Sequence, residues 1–272
     1  MHDYAEPCCC FDASQYTGTP DACPVSDPVS VPEVIAGLDS LNNSGREAEG
    51  MAYLEQWLDV CRQRGDWRAE LSVLNELLGQ YRRRGEREKG IRTVNEAMEL
   101  LRGHSMGSTV SGATILLNAA TTMKCFGMAK ESIPVFRHVS RVYADHLDPL
   151  DYRFAGLYNN MALSYADIGE TENAEKYFRL AIGILEHTPL QQNDIAASWC
   201  NLAELFDAQD PEDPRIDGCL EKAWENLNAP ELPHDGYHAF TISKCAPTFD
   251  RFGYFLYAGE LKKRAEAIYE RS

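Results

Sequence analysis

Long apolar runs are missing from this chain. No stretch approaches the about 20 residues that a membrane-spanning helix needs, so no transmembrane segment is expected. The N-terminus, "MHDYAEPCCCFDASQYTG", carries acids where a secretory leader needs a basic region followed by an apolar one. Cys8 has no hydrophobic segment before it that would mark a lipoprotein cysteine. A cytoplasmic location is the expectation, with the nine cysteines, an odd number, held reduced.

Positive charge is also scarce. The chain has 26 Lys and Arg against 42 Asp and Glu, a net of −16. Phosphate backbones and anionic membranes both require clustered cations. Neither nucleic acid nor membrane is therefore expected as a partner, and a cationic protein surface suits the balance better. Catalytic signatures are absent as well: G-x-x-x-x-G-K-[ST], G-x-G-x-x-G after a strand, G-x-S-x-G and H-E-x-x-H do not occur. Almost no stretch alternates like a strand. The expectation is a protein with no enzyme activity, no cofactor and no metal.

What the chain does contain is a repeat. Four segments align, beginning at Ser72, Thr114, Gly156 and Ala197, with offsets of 42, 42 and 41 residues. Leu74, Leu116, Tyr158 and Trp199 are large at one position; Ala120, Ala162 and Ala203 are small at another, with Leu78 the exception. Tyr81, Met123, Tyr165 and Phe206 are bulky, and Gly85, Gly127 and Gly169 follow, with Asp210 in that place in the fourth copy. Val94, Phe136, Phe178 and Leu220 come next, then Ala97, Val139, Ala181 and Ala223. Apolar spacings of three and four predict two amphipathic helices per unit. Gly169 ends the first, Thr171 is placed to cap the second, and Glu172 suits its positive pole. One pair cannot bury both faces, so pairs must stack.

The order large, small, bulky, Gly, Ala, aromatic, Ala resembles the tetratricopeptide repeat. The usual unit is 34 residues; the 42-residue period with "YNNMA" resembles the longer repeats of kinesin light chains, in a bacterial stand-alone form. The resemblance covers residues 67–230. It implies an all-α, right-handed α-solenoid of about six antiparallel helix pairs. The expected pairs are residues 30–66, 67–108, 109–149, 150–190, 191–230 and 231–272, after an extended Cys- and Pro-rich arm at 1–29. Pro247 is expected to kink the first helix of the last pair.

First helices of such an array line a concave groove. Asn118, Asn160 and Asn201 share one repeat position and Asn75 lies one residue off it. An amide offers a donor and an acceptor, and so can hold a peptide backbone; equally, it can bond a neighbouring repeat. Arg82, Arg83 and Lys124 make the early part of the groove basic, and Asp167, Glu204, Asp207 and Asp250 make the late part acidic. Asn160 and Asn201 have no matching basic residue in their own helices and only Lys244 sits in a comparable place, so a carboxylate clamp of the chaperone-binding kind is not expected.

The implied function is a scaffold or adaptor that binds a peptide or helix of another protein, in a chain that could also form a homodimer. Two alternatives remain: a peptide-sensing regulator without a DNA-binding domain, and a metal or thiol protein using Cys8, Cys9, Cys10 and Cys23. Adjacent cysteines are poor zinc ligands. Cys61, Cys125, Cys200, Cys219 and Cys245 fall on helices and read as small core residues. His234, His238 and Cys245 form a loose trio that reads as ordinary loop and helix residues.

Overall fold

The computed structural model describes residues 11–23 and 25–270; Cys8, Cys9 and Cys10 lie outside them. Twelve α-helices follow in order: α1 Val31–Asn43, α2 Glu47–Arg64, α3 Trp67–Arg84, α4 Arg87–Gly103, α5 Val110–Cys125, α6 Ala129–His146, α7 Arg153–Asp167, α8 Thr171–Leu185, α9 Gln192–Gln209, α10 Arg215–Leu227, α11 Gly236–Arg251 and α12 Phe255–Tyr269. Among the described residues there is no strand, and no helix is long and apolar enough to cross a membrane. Contacts divide the chain into two units, Met1–His146 and Leu147–Ser272, with three helix pairs in each.

Within five of the six pairs the turn is built the same way. Gly169 sits at φ +78°, the left-handed conformation that a side chain makes costly. Its amide donates to Ala166 O at 3.0 Å, and the Glu170 amide reaches back to Tyr165 O at 2.9 Å. The same backward bond joins Glu86 to Tyr81, Met128 to Met123 and Tyr254 to Phe249. The bulky position and the glycine thus belong to one device: the ring or thioether is buried while its carbonyl closes the turn. Asp210 lacks this geometry, with φ −149°, and the loop to α10 is longer. Thr171 is not the cap of α8. Glu170 holds that position without a side-chain cap bond, because its own carboxylate accepts from Asn173 Nδ2 at 2.7 Å.

The aligned apolar positions form the core. Leu74, Leu78, Ala120, Ala162, Ala203, Ala97, Val139, Ala181 and Ala223 are fully enclosed. Small residues let backbones approach, and Phe136, Phe178 and Phe206 fill the spaces beside them. Tyr158 departs from the expected pattern: it is only partly buried, against Phe154 and Tyr177, and Leu157 takes the enclosed place. Pro247 is accommodated inside α11, which runs on to Arg251, and Pro134 lies likewise inside α6.

Residues 11–23 and 25–30 lie against helices of the first unit. Tyr16, in the short 3₁₀ turn Ala13–Tyr16, is 4% exposed, stacked on Phe11 at 5.0 Å and tilted on His138 of α6 at 6.4 Å. His138 Nε2 donates to Gly107 O at 2.8 Å, and burial holds its pKa below the usual value. Gly107 has no room for a side chain, since an added Cβ would meet Tyr16 Cβ at 2.3 Å. Further along, Asp21 pairs with His104, whose ring stacks on Trp67 at 4.2 Å. The buried Asp66 carboxylate accepts from Val29 N, Cys23 Sγ and Ala69 N, fixing the arm and capping α3 together.

Candidate partner-binding faces

The expected groove residues fall on first helices of both units. In the first unit Asn75 of α3 and Asn118 of α5 meet: Asn118 Nδ2 donates to Asn75 Oδ1 at 2.7 Å. Arg82, about two turns further along α3, is partly buried. It donates to Asn118 O at 3.2 Å and to Thr122 Oγ1 at 3.5 Å. Neither partner carries a negative charge. Desolvation, with Arg83 close by, pulls the Arg82 pKa down. Arg83 is exposed and Lys124 partly buried, near the ends of α3 and α5.

The second unit is arranged differently. Asn201 of α9 bonds Asn159 of α7 at 3.4 Å, an acceptor that also takes Ser198 Oγ at 3.4 Å. Asn160 instead folds back on its own helix, donating to Gly156 O at 2.9 Å. Asn159 is thus a polar link that the repeat alignment passes over. The only signal for it is its distance of 42 residues from Asn201. Glu204 accepts from Thr248 Oγ1 at 2.6 Å, and Asp207 pairs with Arg251, so two of the expected acids bridge α9 to α11. Asp194 and Tyr237 make a third bridge at 2.6 Å, and burial raises the Asp194 pKa. Lys244 lies over the Phe240 ring at 5.5 Å, with that ring half exposed. Asp250 is 3.7 Å from Lys262, and Asp167 is exposed at the end of α7.

Charge is distributed unequally between the units. Residues 147–272 hold 22 acids against 11 bases; residues 1–146 hold 20 against 15. Among the described cysteines, Cys61, Cys200, Cys219 and Cys245 are buried, and burial pushes the Cys61 and Cys219 thiols up to about 11. Cys125, the last residue of α5, is exposed, contrary to the core reading. Among the described residues no three His, Cys, Asp or Glu side chains are placed to share a metal ion.

The fold is that of a tetratricopeptide-like helical repeat. The fold is similar to that of a Podosopora anserina putative kinesin light chain with nearly identical TPR-like repeats, at a TM-score of 0.54 and 16% identity over 74% of this chain and 95% of that one. A point variant of the same repeats matches equally, with 97% of that chain covered. BtubC (BKLC) from P. vanneervenii matches over 89% of this chain and 92% of its own, at a TM-score of 0.51 and 15% identity. At these identities the likeness concerns the fold. No family model matches the chain, and no curated protein does.

Proposed function

We propose that the chain is a non-catalytic scaffold that holds a segment of another protein on the first-helix faces of its pairs. The observation that carries this reading is Arg82. A guanidinium drawn partly out of water and bonded, among the described residues, to a carbonyl and a hydroxyl lacks a paired negative charge. A carboxylate arriving beside it would make the charge-assisted contact that its present partners do not supply. Asn75 and Asn118 lie alongside, already bonded to each other; each has amide capacity left for a peptide backbone. The repeat fold supports a protein partner, since stacked pairs present a long preformed surface. The second unit, taken by itself, is the more acidic and suits a cationic protein segment.

The test is capture of partners from the native host by the wild type, by Arg82→Gln and by an Asn118/Asn160/Asn201→Ala triple variant. Arg82→Gln should weaken capture by about tenfold or more, and the effect should shrink in high salt. Equal recovery by all three proteins refutes a role for these faces.

A further inference from the structure

His238 is the one fully enclosed histidine of the second unit that leaves a ring nitrogen unused. Its exposure is 0%. Nδ1 meets Asn193 Oδ1 at 2.8 Å. An amide oxygen only accepts, so Nδ1 carries the hydrogen and Nε2 presents a bare lone pair. That Nε2 is buried and has no partner. A buried polar atom without a partner is costly, and so its persistence needs an explanation.

Its surroundings supply one. The ring of His234, four residues earlier in the α10–α11 loop, stands 5.2 Å away, centre to centre, and tilted by 47°. Two imidazoles bound through nitrogen at about 2.0–2.1 Å to one tetrahedral ion have ring centres about 5 Å apart. The hydrogen bond from Nδ1 to a side-chain carbonyl is the outer contact that orients a ligating imidazole. Only one other described side-chain atom is buried and unpartnered: Gln192 Oε1, on the residue beside Asn193. Gln192 Nε2 in turn reaches Glu231, in the loop that carries His234, at 3.3 Å.

We propose that His234 and His238 bind a divalent transition-metal ion of the nitrogen-preferring class, zinc or nickel, at the corner where the α10–α11 loop meets α9 and α11. Two imidazoles are the protein's ligands and water completes the shell. Arg264, the nearest cation on α12, is paired with Glu260 at 2.6 Å. Bound metal ties the loop to its helices and stiffens the last pair.

Calorimetric titration of the full chain with zinc and nickel tests this, alongside His234→Ala, whose exposed side chain can be removed without opening the core. Cobalt absorption separates imidazole from thiolate ligation in a chain with nine cysteines. The expected result is one ion per chain, no sulfur-to-metal charge-transfer band, and affinity more than about tenfold weaker in His234→Ala. The metal should raise the melting temperature of the wild type and leave that of the variant unchanged. Any of three results overturns the proposal: no binding, meaning that an internal water occupies Nε2; equal binding by the variant; or cobalt spectra dominated by thiolate.

Discussion

His138 and His238 are buried, one in each unit, and burial leads the causes that lower both pKa values. A histidine whose folded pKa lies below its unfolded value of about 6.5 binds its proton more readily when unfolded. Stability should therefore be fully present above pH 6.5 and fall as the pH drops from there toward the folded values. Urea unfolding between pH 7.5 and 5 measures this. His138→Gln should flatten the fall relative to wild type; an unchanged slope would mean that carboxylates alone set it. Asp66 illustrates how much one side chain can hold. Replaced by alanine, it removes a helix cap worth about 1 kcal/mol and leaves the buried Val29 amide unsatisfied at a further 1–3 kcal/mol or so. A loss of roughly 2–4 kcal/mol in the first unfolding transition is expected.

The turn inside a helix pair and the N-terminal arm are the elements with a sharp dependence on sequence. Gly169→Ala forces a side chain into the left-handed region and should cost about 1–2 kcal/mol, read as a lower melting temperature for the second unit. Asp210→Gly at the corresponding place should bring no gain, since that backbone is extended. The arm depends on Gly107. A methyl group there collides with Tyr16, so Gly107→Ala should dislodge residues 11–23 without unfolding α3 to α6. Hydrogen exchange would show faster exchange in the arm and at Met106–Thr109, with helix interiors unchanged. Protection retained throughout the arm would show that Tyr16 is not its anchor.

At the scale of the molecule, the 42-residue period predicted stacked helix pairs, and the structure has them because the period records a local packing rule. Ala162, Phe178 and Ala181 answer to neighbours within one pair or the next, so their identity carries that information in the sequence itself. The binding faces were less legible. Asn118, Asn160 and Asn201 are equivalent in the alignment, yet one bonds Asn75, one its own helix and one Asn159. A polar side chain on a helix surface chooses among partners within about 3 Å, and small differences in how adjacent helices sit decide the choice. Glu204 and Asp207 read as groove charges, and in the fold they bridge to Thr248 and Arg251, each 44 residues away.

The sequence by itself determined the elements: where helices begin and stop, which face is apolar, and that pairs must stack, all consequences of short-range periodicity and backbone sterics. Tertiary structure alone decided which polar groups remain available. It set Arg82 against a carbonyl and a hydroxyl, seated Tyr16 over a glycine distant in the chain, and left His238 with one nitrogen unmatched. Desolvation and hydrogen-bond pairing depend on atoms far apart along the backbone, and no period in the sequence encodes them.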